Sequence, residues 1–250
     1  MARRVSKMSC RHDTMRDVNE TEKTRRAGEE VALIVPIYNE GSVVKEVIKN
    51  ALQTFPNVIA IDDGSTDDSA QLAHEAGATV LRHAINLGQG AALQTGISFF
   101  LQASDLPYLA TFDSDGQHST ADVEAMWEKA RTEGLDIVFG SRFLSTHQEM
   151  GLAKRVVLKT AAWATAKTTR MRLTDAHNGL RLLSRRAAST LHLQQNRMAH
   201  ASEIVAQLGR SGLPWAEAPV NIRYTDYSRA KGQSLWNSIN IVADLIMGVR

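Results

Sequence analysis

Short apolar runs alternate with segments of helical periodicity between residues 31 and 141. Apolar runs that predict buried strands occupy residues 31–35, 57–61, 78–81, 108–112 and 137–139, and the segments between them that predict helices cover residues 42–53, 67–76, 88–103 and 120–131. Strands that alternate with helices favour right-handed crossovers and a parallel arrangement. The predicted fold class is therefore α/β, with a mostly parallel central sheet flanked by helices.

The second half of the chain is less regular. Residues 149–172, 201–210 and 232–249 have helical character, residues 180–183 predict a strand, and residues 214–224 alternate enough for an edge strand. No repeat or linker interrupts residues 31–250, so we predict a single domain there. Residues 1–30 are rich in charge and lack the apolar core of a secretory signal, which predicts a flexible extension.

Charge is distributed unevenly along the chain. The total of 29 basic and 27 acidic residues leaves a net charge of +2, yet residues 31–141 hold 5 basic and 15 acidic side chains, and residues 142–250 hold 16 basic and 6 acidic. The small net charge argues against general nucleic-acid binding. The split predicts an acidic surface and a basic surface on the same protein.

Two further observations bear on location. The single cysteine, Cys10, permits no intrachain disulfide, which suits a reducing compartment. The sequence contains no stretch of 18 uncharged apolar residues, so it predicts no membrane-spanning helix. We expect a cytoplasmic protein, with peripheral contact to the cytoplasmic face of the membrane left open.

The triplet Asp113-Ser114-Asp115 directly follows a predicted strand. In an extended segment its two carboxylates point to the same side, where they can share a divalent cation such as Mg²⁺ or Mn²⁺ on a diphosphate. An ordinary solvated turn is the competing interpretation of the triplet alone.

Two more polar clusters follow predicted strands. Asp62-Asp63-Gly64 precedes a helix and offers carboxylates to a ribose or a base, although a helix-capping loop has the same composition. The run Asn86-Leu-Gly-Gln-Gly90 opens a helix, where backbone N–H groups can meet an anion, although glycines also serve close packing. It matches neither GxGxxG nor a P-loop.

Together these motifs resemble the family 2 glycosyltransferases with the GT-A fold. The resemblance covers residues 31 to about 234, and the run from Thr174 to Arg185 is similar to the polyprenyl-phosphate (dolichol-phosphate) mannosyltransferase branch. The motifs that carry it are Pro36-Ile-Tyr-Asn-Glu40, Asp62-Asp-Gly-Ser-Thr-Asp67, Asn86-Leu-Gly-Gln-Gly-Ala-Ala92, Asp113-Ser-Asp-Gly-Gln-His118 and Gly140-Ser-Arg-Phe143.

The resemblance implies inverting transfer of a hexose from a UDP- or GDP-sugar, with residues 31–141 as the nucleotide- and metal-binding half and residues 142–250 as the acceptor half. It implies Mn²⁺ or Mg²⁺ as cofactor, held by Asp113 and Asp115. Catalytic roles would fall to Asp115, Glu203 and Arg142. The implied nucleotide-binding residues are Pro36, Tyr38, Glu40, Asp62, Asp63 and Asp113, and the implied phosphate- or acceptor-binding residues are Gln117, Arg142, Arg181, Arg223 and Lys231.

The acceptor is less defined. The segment His200-Ala-Ser-Glu203 stands where the family commonly carries a Glu-Asp pair, which makes Glu203 the best candidate for a general base. A polyprenyl phosphate would need no base because a phosphate monoester is already anionic at neutral pH. The alternative is a glycan or other hydroxyl acceptor in cell-envelope polysaccharide synthesis.

Other hypotheses stay open at this point. The segments 154–172 and 235–249 are candidates for contact with an anionic lipid surface, or for core helices and a homo-oligomer interface. A non-catalytic module with the same fold is a further class, against which the intact Asp113 and Asp115 argue. A sugar-1-phosphate nucleotidyltransferase lacks support because its Gly-rich signature near the first strand is missing.

Overall fold

A single sheet forms the centre of the computed structural model, which describes residues 26–145, 171–195 and 199–222. Its strand order is β3-β2-β1-β4-β6-β5-β7, and β6 runs antiparallel to both of its neighbours while the other pairs are parallel. This confirms the predicted α/β class. The strands are β1 (Val31–Ile37), β2 (Val58–Asp62), β3 (Thr79–Arg82), β4 (Tyr108–Thr111), β5 (Ile137–Ser141), β6 (Arg181–Ser184) and β7 (Trp215–Pro219).

The helices predicted at 42–53, 67–76, 88–103, 120–131 and 201–210 are present and begin and end within a few residues of those bounds, whereas the short helices at 27–30 and 185–188 were not predicted. Helix α3 (Ser69–Ala76) begins two residues later than predicted, and Asp68 is its N-cap residue. Asp67 accepts hydrogen bonds from the backbone N–H groups of Ser69 and Gly41. The helices are α1 (Ala27–Glu30), α2 (Val44–Leu52), α3 (Ser69–Ala76), α4 (Gln89–Ala103), α5 (Thr120–Glu133), α6 (Arg185–Ala188) and α7 (Ala199–Ser211).

The hydrophobic core lies on both faces of the sheet. Leu33 and Val35 of β1 pack on the face that α2 and α5 cover, whereas Ala32 and Ile34 pack on the face that α4 and α7 cover. This alternation follows the two-residue period of a strand, and burial on both faces explains why β1 reads as a continuous apolar run.

Strand β1 continues past the end predicted for it at residue 35. Pro36 pairs in register with Ile61 of β2, and Ile37 pairs with Asp62. The other neighbour, β4, pairs with β1 only as far as Ile34. Pro36 lies beyond the last residue of β1 that pairs with β4. Its missing N–H therefore breaks no hydrogen bond between these strands, which explains why proline is tolerated here.

The described part of the chain begins at Arg26, before the predicted domain boundary at residue 31. Helix α1 falls within the predicted flexible extension, and its Glu30 is buried and accepts a hydrogen bond from Trp127 Nε1 at 3.1 Å. Residues 1–25 lie outside the described residues, as do residues 146–170 and 223–250, which contain most of the predicted helix 149–172 and all of 232–249. Within the described residues, no helix is long and apolar enough to cross a membrane.

Candidate active site

A cleft of about 400 Å³ opens at the carboxyl ends of the parallel strands β1, β2 and β4. In open α/β sheets this edge is where ligands bind. The cleft brings together six of the residues singled out in the sequence, and Asp62 is absent from its lining. The lining residues are Pro36, Ile37, Tyr38, Glu40, Asp63, Asn86, Gly88, Gln89, Ala92, Asp113, Ser114 and Asp115.

One wall of the cleft is the loop after β1, which the loop after β2 holds in place. The backbone N–H of Asn39 donates to Ser65 Oγ at 2.9 Å, and the N–H of Thr66 donates back to Asn39 Oδ1 at 2.9 Å. The N–H of Glu40 donates to Ser69 Oγ at 2.8 Å. These contacts fix the loop, while Tyr38 at the rim stays 45% exposed.

Asp62 has a structural environment. Its side chain is fully buried, its Oδ2 lies 3.0 Å from Arg82 Nε, and its Oδ1 accepts the N–H of Ser65 at 3.3 Å. These contacts tie the end of β2 to β3 and to the following turn. Asp62 therefore supports the neighbouring loop from behind the cleft, and the geometry does not favour the nucleotide contact implied for it.

Asp63 lines the cleft, but its carboxylate already has several donors. Oδ1 accepts the N–H of Leu87 at 2.9 Å and lies 2.7 Å from His83 Nδ1, and Oδ2 accepts the N–H of Gly88 at 2.7 Å. An anion does lie at the Gly-rich start of α4, as the sequence predicts, but it is this carboxylate from the protein itself.

The two carboxylates of the Asp-Ser-Asp triplet differ in protonation behaviour. Burial opposes ionisation of Asp113, but the charges of His118, Arg181 and His200 outweigh it and hold its pKa below the ordinary value. His118 Nε2 lies 2.9 Å from Asp113 Oδ2. Burial, followed by the charge of Asp113, raises the pKa of Asp115 above its ordinary value.

These residues fit a divalent cation. Asp113 and Asp115 repel each other when both are ionised, and a cation between them and a substrate removes that repulsion. Among the described residues no cluster of three His, Cys, Asp or Glu side chains forms a complete ligand cage. Mg²⁺ is ordinarily held by only one or two carboxylates together with substrate phosphates and water, so two carboxylates facing a cleft suffice.

Gln117 lies close to this pair. Its backbone N–H donates to Asp115 Oδ1 at 3.0 Å, and its side chain is buried. Gln117 therefore orients Asp115 through its backbone. The implied contact of its side chain with phosphate is not part of this geometry.

The predicted basic wall is represented by two arginines in the described chain. Arg142 forms a bidentate ion pair with Asp175, from Nε to Oδ2 at 2.7 Å and from Nη2 to Oδ1 at 2.8 Å. Arg181 is 2% exposed, and burial lowers its pKa to about 10 although Asp113 and Asp175 favour the charged form. Neither arginine lines the cleft. Arg223 and Lys231 lie outside the described residues.

Glu203 has a different environment from the one a general base requires. Its Oε2 accepts the N–H of Gln195 at 2.8 Å, and both of its oxygens accept the N–H of Gln194 at 3.1 Å. Gln207 Nε2 donates to Oε1 at 3.1 Å. With its oxygens occupied in this way, Glu203 holds the chain before α7, and the geometry favours a structural role over that of a base.

Sequence reasoning left several residues of this region without a role. Asn86 and Gln89 line the cleft and belong to a motif that was recognised without assigning its members. His177 and His200 interact electrostatically with Arg181 and Asp113 respectively, and burial lowers the pKa of His177. His83 belongs to none of the motifs named in the sequence. Its position could have indicated a contact with Asp63. His83 directly follows β3 and Asp63 directly follows β2, and these parallel strands pair Asp62 with Arg82.

The family model "Glycosyl transferase family 2" matches residues 32–191. The chain belongs to this family. The family 2 chain is 33% identical over 224 residues to an uncharacterised protein of Methanocaldococcus jannaschii, covering 88% of this chain and 92% of that protein. It is 28% identical over 240 residues to a UDP-N-acetylglucosamine–dolichyl-phosphate N-acetylglucosaminyltransferase of Methanococcus voltae, covering 87% and 95%.

The solved structures place the chain in the GT-A fold. Glucosyl-3-phosphoglycerate synthase from Mycobacterium tuberculosis, in complex with Mn²⁺, UDP and phosphoglyceric acid, superposes with a TM-score of 0.64 at 19% identity, covering 91% of this chain and 80% of that one. The predicted family and fold are thereby confirmed, and the protein is a glycosyltransferase.

Proposed function

We propose that this glycosyltransferase moves a hexosyl group, with inversion, from a UDP- or GDP-sugar to a polyprenyl phosphate. The observation that carries the proposal is the convergence of Tyr38, Asp113 and Asp115 on one cleft at the carboxyl edge of the sheet. The named transferase of Methanococcus voltae, which uses a dolichyl phosphate, supports the lipid-phosphate acceptor.

The donor would lie along the cleft from Tyr38 to the triplet. Tyr38 presents its ring to the base, and Pro36 and Glu40 line the same wall. Asp113 and Asp115 would hold Mn²⁺ or Mg²⁺ at the diphosphate, where the metal supplies positive charge for the leaving nucleoside diphosphate. His118 orients the Asp113 carboxylate from its buried side.

A phosphate acceptor fits the positive charge around Asp113. Arg181 and His200 act electrostatically on both Asp113 and His177. Arg181 is 2% exposed, so it would attract a bound phosphate through its charge and not by direct contact. Glu203 is already bound to backbone N–H groups. A phosphate oxygen would attack the anomeric carbon, and the bond from that carbon to the donor diphosphate would break with its electron pair leaving on the diphosphate. The nucleophile is already anionic, so no proton has to be removed.

A transfer assay tests both substrates. The full-length protein is incubated with a panel of labelled UDP- and GDP-sugars, Mn²⁺, and either a short-chain polyprenyl phosphate or the matching polyprenyl alcohol. We expect one donor to label the phosphate and to leave the alcohol unlabelled. Labelling of the alcohol alone would overturn the lipid-phosphate acceptor in favour of a hydroxyl acceptor, and labelling of neither lipid with any donor would overturn the proposed function.

The acceptor also implies contact with a membrane surface in cell-envelope synthesis. The support is the basic composition of residues 154–172, which lie mostly outside the described part of the chain. Co-sedimentation with liposomes tests this point. Binding to anionic vesicles that weakens with salt is the expected result, and equal recovery in the supernatant with and without vesicles would contradict it.

A further inference from the structure

His83 bridges the end of β3 to helix α4 beside the donor cleft. Its Nδ1 lies 2.7 Å from Asp63 Oδ1, and its Nε2 lies 2.9 Å from Thr95 Oγ1. The side chain is 11% exposed and does not line the cleft. Its contacts are therefore with residues that shape the cleft wall.

The partners of the ring specify its hydrogen-bond pattern. An ionised carboxylate only accepts, so Nδ1 carries the hydrogen that points at Asp63. In the neutral ring Nε2 is then the acceptor, and the hydroxyl of Thr95 donates to it. Thr95 thus orients the ring, and the ring in turn orients the Asp63 carboxylate.

The same carboxylate fixes the turn that leads into α4. Asp63 accepts the N–H groups of Leu87 and Gly88, which precede the helix. The next residue, Gln89, lines the cleft and its Nε2 lies 3.4 Å from Asp113 Oδ1. The residues that link His83 to the metal carboxylate therefore form one continuous chain of contacts.

We propose that His83 is a positioning residue that sets the affinity for the nucleotide donor. It does so by holding the cleft wall formed by Asn86, Gly88 and Gln89 through the Asp63 carboxylate. The inference rests on the proposed function in one respect, which is that the donor binds in this cleft. His83 does not touch the donor, so its loss weakens donor binding more than it slows the chemical step.

Two conservative variants separate the two ends of the ring. His83→Asn places an amide nitrogen near the position of Nδ1 and keeps the hydrogen bond to Asp63, whereas His83→Gln reaches toward Thr95 and loses that bond. Since a hydrogen bond to a charged group contributes on the order of tenfold in affinity, we expect His83→Gln and His83→Ala to raise the donor KM and the Kd for nucleotide with Mn²⁺ about tenfold. We expect His83→Asn to stay within about threefold of the native protein.

For each variant we would measure the donor KM, kcat, the nucleotide Kd by calorimetry and the free energy of unfolding. The control is His74→Asn, which makes the same substitution at an exposed histidine on α3. A tenfold rise in KM and Kd with kcat within about threefold, rescued in His83→Asn, supports the proposal. The proposal would be overturned if KM and Kd in every His83 variant equalled those of the native protein, or if His83→Asn raised them as much as His83→Gln does. Failure of the native protein to bind any nucleotide would instead overturn the donor site itself.

Discussion

The backbone of Gly179 lies directly against the carboxylate of Asp113. A Cβ built on Gly179 would overlap both oxygens of that carboxylate, and the carbonyl oxygen of Gly179 accepts a hydrogen bond from Thr111 Oγ1 at 2.5 Å. The antiparallel strand β6, which begins two residues later, thus brings the second half of the chain against the proposed metal ligand.

Gly179→Ala is expected to displace Asp113 and to reduce metal-dependent transfer. Because a misplacement of about 1 Å near the reacting groups costs up to ~100-fold, we expect kcat/KM to fall by at least about tenfold. The fall in kcat/KM is measured by steady-state kinetics across a Mn²⁺ titration. Gly134→Ala is the matched control, because no atom lies within 4 Å of its Cβ and its φ of +65° costs stability alone. Equal activity of the Gly179→Ala variant and the native protein would contradict the account.

Asp115→Asn should impair activity and stabilise the metal-free protein. Burial and the charge of Asp113 raise the pKa of Asp115, so its folded-state pKa lies above its unfolded value and ionisation at neutral pH costs stability. We expect kcat/KM to fall by ~100-fold or more while the Tm without metal rises. Thermal unfolding with and without Mn²⁺ measures the second effect. A lower metal-free Tm at neutral pH would show that Asp115 stabilises the fold.

Asp175→Asn should destabilise the protein because it removes the negative charge of the buried carboxylate that pairs with Arg142. Removing one member of a buried ion pair costs about 3 kcal/mol, which urea unfolding at pH 7 would detect. Arg142 holds the pKa of Asp175 below its usual range against the effect of burial. The stabilisation is therefore present above the unfolded pKa of about 4 and is lost as pH falls through the lower folded value.

The contribution of the Arg142–Asp175 ion pair to stability should depend on pH. The stability difference between native protein and Asp175→Asn should be largest at neutral pH and should shrink in acid. Asp105, an exposed carboxyl in the loop before β4, offers Asp105→Asn as the control, for which we expect little change. A difference between native protein and Asp175→Asn that stays constant down to pH 3 would contradict the assignment.

Glu203→Gln separates a structural glutamate from a general base. Because its oxygens accept backbone N–H groups of residues 194 and 195, the amide should retain part of these contacts and keep transfer activity within a few-fold. Loss of a general base costs ~100-fold to ~10,000-fold. Kinetics and urea unfolding are measured together. A 100-fold loss of kcat at unchanged stability would identify Glu203 as a base and favour a hydroxyl acceptor.

Much of the sheet and of the donor side of the cleft could be predicted from the sequence. Strand ends are local features, so the apolar runs that stop at Asp62 and at Asp113 were enough to place these residues at one edge. The side-chain partners could not be predicted in the same way. Glu203 and Arg142 owe their roles to Gln195 and Asp175, whose proximity comes from tertiary packing rather than from any local pattern.

The antiparallel insertion of β6 between β4 and β5 was also beyond the sequence pattern. The apolar run at residues 180–183 predicts a strand, but only the pairing of Thr111 with Arg181 brings Gly179 and Arg181 to the back of Asp113. A buried arginine beside a carboxylate is unrecognisable from composition, because most arginines are exposed.

Mass spectrometry of the lipid product tests the proposed transfer itself, with the full-length protein, its preferred nucleotide sugar, Mn²⁺ and a short-chain polyprenyl phosphate. We expect the native protein to form a hexosyl-phosphoryl-polyprenol of inverted anomeric configuration, and the Asp115→Asn variant to form none. A sugar attached to a hydroxyl acceptor, or lipid product that forms equally without Asp115, would contradict the proposed transfer.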